Sequence, residues 1–141
     1  MNLFNDIKVP ASFKAFSGTP SLKLKFAFRA HCRIFFTPEK YKDLENHLYI
    51  FYVTVNSPVN DIGMGVDFFE VEHIFENHIK PLVDHQLLNQ TLPAMNMTAE
   101  NIGHWLYQTF EAHLPVNTTI EALELFETAE HSVILTQQNR H

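Results

Sequence analysis

Three side chains in this sequence have types and a spacing suited to metal chemistry: His31, Glu45 and His47. His31 ends the stretch Phe26-Ala27-Phe28-Arg29-Ala30-His31, inside an extended run. Glu45 and His47 lie in Glu45-Asn46-His47-Leu48-Tyr49, which opens the next apolar run. Side chains of a strand alternate between its faces. Leu22, Leu24, Phe26, Phe28, Ala30, Cys32 and Ile34 therefore share one face, and Lys23, Lys25, Arg29, His31 and Arg33 share the other. The same alternation puts Glu45, His47 and Tyr49 on one face of the second run. If the two runs pair, two imidazoles and a carboxylate can converge as zinc ligands and leave a fourth position for substrate. The chain holds nine histidines, so this loose spacing also fits a polar strand face with no metal.

The elements that must position these groups follow from pattern and punctuation. Residues 21–36 read as a long strand, broken by Thr37-Pro38. The polar residues 39–44 read as a loop and the Tyr-, Phe- and Val-rich residues 48–56 as a second strand. A turn over 60–65 leads to Asp67, placed as a helix N-cap. Phe68, Val71, Ile74, Phe75 and Leu82 follow at helical spacing, and Pro81 should end or kink that helix. Residues 84–89 form a short connection. Thr98 is the next N-cap, ahead of a stripe of Ile102, Leu106, Phe110 and Leu114 that Pro115 closes. Residues 119–127 and 131–136 read as two further strands. The order β-β-α-α-β-β is an α+β domain over residues 21–141, preceded by an arm, residues 1–20, whose Phe4, Phe13 and Phe16 predict packing against something.

Bulk properties narrow the classes. At 141 residues, 45% hydrophobic and 18% charged, the chain suits one globular domain. A net charge of −6 disfavours a nucleic-acid partner. The strip of Lys23, Lys25, Arg29 and Arg33 fits either a small anion or a solvated strand face. A single cysteine, Cys32, excludes an intrachain disulfide and falls on the apolar face as a core thiol. No run approaches the roughly 20 apolar residues of a membrane helix, and no signal-peptide pattern opens the chain. The expectation is a cytoplasmic protein with no membrane partner.

Five stretches in order resemble the 6-pyruvoyltetrahydropterin synthase and 6-carboxytetrahydropterin synthase family, of the tunnelling fold (T-fold). They are Phe26-Ala27-Phe28-Arg29-Ala30-His31, Gly63-Met64-Gly65-Val66-Asp67-Phe68, Val83-Asp84-His85-Gln86-Leu87-Leu88-Asn89, Met97-Thr98-Ala99-Glu100-Asn101 and Glu127-Thr128. The resemblance implies a four-stranded antiparallel sheet with two helices on one face. It implies a zinc-dependent lyase acting on 7,8-dihydroneopterin triphosphate or a close pterin, as in tetrahydrobiopterin or queuosine biosynthesis, and a homo-oligomer, typically a hexamer. It gives Asp84 and His85 a part in proton transfer, although an Asp beside a His can simply cap locally. It makes Glu127, with Thr98, a substrate-binding residue, Glu127 gripping the pterin ring. Zinc would fall to His31, Glu45 and His47.

The chain also departs from that pattern. Where the family has His-Gly-His-Asn-Tyr, this sequence reads Glu45-Asn46-His47-Leu48-Tyr49. Where the family places its basic cysteine, four residues before that motif, stands Tyr41. A phenol is a poor base near neutrality, so Tyr41 reads as a rim or packing residue. The second expectation is accordingly a non-catalytic paralogue that binds a pterin, a purine or a protein partner.

Overall fold

The structure, a computed structural model, describes residues 2–140. Its sheet is built from β1 (Ser21–Phe35), β2 (Tyr41–Asn56), β3 (Thr119–Phe126) and β4 (Ser132–Thr136). The strands lie in the order β1-β2-β3-β4, every pair antiparallel. Alternation in β1 is strict: Leu24, Phe26, Phe28, Ala30, Cys32 and Ile34 are buried, and the cationic residues between them are not. The buried face carries the helices. α1 (Phe68–Ile74) runs into a π-helical turn, Phe75–Ile79, and then α2 (Lys80–Val83). After the short α3 (Leu88–Thr91) comes α4 (Ala99–His113). Phe26 anchors the core, its ring 5.2 Å from Phe51 and 4.8 Å from Phe75, spacings at which aromatic pairs attract.

The caps form where the sequence places them. Asp67 accepts the Phe69 N–H at 2.9 Å, and Thr98 accepts the Asn101 N–H at 3.2 Å. Several expectations change. Of the two outcomes expected at Pro81, an end or a kink, the helix does not end: the preceding π turn inserts one extra residue and lets the chain continue for another turn. The insertion also shifts the apolar phase, so Val83 is buried and Leu82, expected in the stripe, is 39% exposed. Residues 39–44 are not all loop, because β2 starts at Tyr41. There Arg33 of β1 meets Asp43 through two bonds of 2.6 and 2.9 Å and lies over the Tyr41 ring at 3.7 Å. Among the described residues the arm does not pack on the core of its own chain: Phe4, Phe13 and Phe16 are exposed.

Candidate functional site

The candidate ligands sit at a β-bulge. Ala30 pairs with His47 and Cys32 with Leu44, so Glu45 and Asn46 together oppose His31 alone. Asn46 takes φ 48°, in the left-handed region that asparagine tolerates better than most residues. Its N–H donates to His31 Nδ1 at 2.8 Å, and its carbonyl accepts from the Arg29 guanidinium at 3.1 Å. The bulge breaks the alternation read from the sequence. His47, opposite Ala30, shares the core-side face with Tyr49, their rings 4.7 Å apart. His31 lies on the other face, and Glu45 leaves the face of His47 and Tyr49.

Two clefts flank the bulge. One, of about 600 Å³, is lined by Glu45, His47, Leu48, Phe126, Glu127 and Thr128 among others. The other, of about 780 Å³, is lined by His31, Arg33, Asp43, Glu45, Asn89 and Gln90 among others. Glu45 borders both, whereas the two histidines are divided between them. His47 donates its Nε2–H to the Glu127 carbonyl at 2.6 Å, pinning the end of β3 to β2.

These residues do not fit a zinc centre. A ligating imidazole must offer a nitrogen lone pair. His31 spends its Nδ1 pair on the Asn46 N–H, which leaves the proton on Nε2. His47 keeps only its Nδ1 pair. Among the described residues no group of three or more His, Cys, Asp or Glu is placed to hold a metal. His31, Glu45 and His47 thus do not converge in this structure, because the bulge divides the two histidines between the faces.

The remaining nominated residues serve mainly the outer edge of β1. Asp84 Oδ1 accepts the Arg29 N–H at 3.3 Å, and the His85 N–H, at φ 58°, donates to the Arg29 carbonyl at 2.6 Å. The two side chains approach at 3.8 Å, with His85 largely exposed. Further along, the His31 N–H donates to the Gln86 carbonyl at 2.9 Å. Thr98 caps α4 and does not line the Glu127 cleft. Tyr41 stacks under Arg33 at the start of β2. Cys32 is core, its sulfur 3.3 Å from the Tyr49 hydroxyl. Burial pushes the Cys32 thiol up from its ordinary range and pushes the Tyr49 phenol much further up.

Sequence reasoning missed two side chains that imitate a strand. The Asn89 amide accepts the Arg33 N–H at 2.7 Å and donates to the Arg33 carbonyl at 3.1 Å. Asn96 does the same for Phe35, at 2.9 and 2.7 Å. Asn101 in turn holds the Asn96 carbonyl at 2.9 Å. Asn89 and Asn101 stood inside recognised motifs, but nothing in the sequence marked Asn96.

The family model for 6-pyruvoyl tetrahydropterin synthase matches residues 21–138. The chain belongs to that family. Its T-fold is also that of solved structures. The 6-pyruvoyl tetrahydropterin synthase of Caenorhabditis elegans superposes with a TM-score of 0.72 at 14% identity, covering 86% of this chain and 98% of that one. The Plasmodium falciparum 6-pyruvoyl tetrahydropterin synthase gives 0.65 at 14%, covering 85% and 98%. An uncharacterised protein of Wolinella succinogenes gives 0.67 at 13%, covering 86% and 99%. At such identities the likeness is one of fold. No curated protein matches the sequence. Against the family's pattern, Asn46 stands where glycine is expected and keeps a backbone conformation that glycine favours.

Proposed function

We propose that this member of the 6-pyruvoyl tetrahydropterin synthase family takes a reduced pterin into the cleft beside Glu127 and carries out lyase chemistry on its side chain. The substrate to try first is 7,8-dihydroneopterin triphosphate. The observation that carries the reading is the position of Glu127, the carboxylate that the resemblance assigns to the pterin ring. It stands just past the end of β3, lining a cleft of about 600 Å³. A carboxylate there can accept two parallel N–H bonds from the amino-pyrimidine edge of a pterin, a charge-assisted bidentate contact. His47, fixed by the Glu127 carbonyl, and Leu48 line the same cleft. No step is assigned to zinc, because the residues present do not form its centre.

Asp84, His85 and Thr98 do not line that cleft within one chain. The proposal therefore includes a homo-oligomer, the hexamer that the resemblance implies, in which a second copy supplies them for proton transfer and substrate contact. A second reading, binding without turnover, is favoured by Tyr41, which stacks under Arg33 where the family places its base.

The experiment is a binding titration with 7,8-dihydroneopterin triphosphate followed by mass spectrometry of the products. Glu127→Gln should weaken binding about tenfold or more, the worth of one hydrogen bond to a charged group, while the far-ultraviolet circular dichroism stays unchanged. Binding with product release supports the lyase, and binding alone supports the second reading. Equal affinity in wild type and Glu127→Gln would defeat the proposed anchor.

A further inference from the structure

We infer that His31 and His47 are hydrogen-bonding residues of a zinc-free site, and not metal ligands as their place in the motifs suggests. The pterin arm of the test rests on the proposed function; the metal arm does not.

The ground is the polarity of the bonds to each ring. A histidine that ligates through Nε2 ordinarily donates its Nδ1–H to a carbonyl or carboxylate, which fixes the tautomer. His31 shows the reverse: its Nδ1 faces a backbone N–H at 2.8 Å. A C–H of a flipped ring in that place would leave the Asn46 donor without an acceptor, so the nitrogen must face it. The proton is then on Nε2, and neither nitrogen of His31 offers a lone pair. To gain one, the ring must give up its one remaining N–H proton and become an imidazolate, or turn away and orphan the Asn46 N–H at the centre of the bulge.

His47 donates Nε2–H to the Glu127 carbonyl at 2.6 Å, leaving Nδ1. That nitrogen and the Glu45 carboxylate make at most two donors, below the three that protein zinc sites supply. The pairing register separates the histidines further, since His47 lies opposite Ala30 on the face away from His31. The same bonds have a positive use. His31 holds Asn46 in its left-handed conformation, and Asn46 holds Arg29. His47 ties the residue that we assign to the pterin ring to the neighbouring strand.

The test uses the full chain purified without a histidine tag. Metal content is measured before and after incubation with excess zinc and desalting, for wild type, His31→Ala and His47→Ala. Long-range proton–nitrogen NMR reads the tautomers of the two rings in wild type. The expected result is zinc far below one per chain or, if any is retained, the same amount in all three proteins. Both rings should be in the Nε2–H form with and without zinc. About one zinc per chain that is lost from either variant, or a ring that changes tautomer when zinc is added, would overturn the inference. Because either variant could misfold, the wild-type NMR measurement decides independently. In a third arm, 7,8-dihydroneopterin is titrated in chelator and in zinc, and equal affinities are expected. Binding that requires zinc would overturn the inference. Absence of binding in both conditions counts against the pterin reading, while metal content and tautomers still decide this one.

Discussion

Asn46 shows how much one backbone angle can decide. At φ 48° it donates to His31 and accepts from Arg29. Asn46→Gly should leave stability within a few tenths of a kcal/mol, whereas Asn46→Val should cost about 1–2 kcal/mol, the penalty of the left-handed region. Urea denaturation measures both. A second residue-scale prediction concerns Cys32 and Tyr49. Both hold their protons more tightly in the folded chain, chiefly because they are buried. Their contribution is therefore fully present below about pH 9, the ordinary range of a thiol. It is lost as the pH rises further, because the unfolded chain releases its protons first. The urea midpoint should fall as the pH rises above about 9, and more gently in Cys32→Ala. The sequence made Cys32 legible as core by alternation alone. It could not reveal that His31 and His47 sit on opposite faces, because a bulge adds a residue without altering composition.

At the scale of elements, β1 and its neighbours explain most of the recognised motifs. Asp84, Asn89, Asn96, Thr98 and Asn101 either bond to the outer edge of β1 or support a residue that does. Their recurrence in order along the chain is a matter of closing an edge as well as of chemistry. Asn89→Ala leaves the Arg33 N–H and carbonyl without their partner and should cost about 1–3 kcal/mol. Amide exchange at Arg33 should quicken more than at Phe26, which lies beyond the reach of Asn89. The order of elements along the chain and the α4 stripe were readable from periodicity, and both caps from residue type. The start of β2 was not, since Tyr41-Lys42-Asp43 looks like loop until Arg33 is seen opposite Asp43. The π turn was hidden for a similar reason: a one-residue change of phase ahead of Pro81 leaves no mark in composition.

Taken as a whole, the molecule keeps its family's fold at 14% identity to the nematode enzyme, with a sheet whose apolar face forms the core and whose other face is polar. The arm stands outside that core, with Leu3, Ile7 and Val9 each at least 70% exposed. Its only backbone hydrogen bonds to the rest of the chain among the described residues are made by the Gly18 and Pro20 carbonyls, which accept from Val59 and Ser57 just past β2. Removing residues 1–17 should therefore shift the stability of the isolated chain by no more than about 0.5 kcal/mol, as read by urea denaturation. A shift in sedimentation of the same truncated protein would place the arm at a subunit boundary instead.

The edge of β1 is finished only in part. From Arg29 to Phe35 its outward groups are answered by Asp84, His85, Gln86, Asn89 and Asn96. From Ser21 to Ala27, among the described residues, no hydrogen bond reaches that side. Any foreign strand that joins here meets a seven-residue berth, roughly 23 Å long at 3.3 Å per residue, with a fixed terminus at Arg29. Such a strand cannot slide past Asp84 without displacing it. The connection that closes one half of the strand thereby fixes where the open half begins.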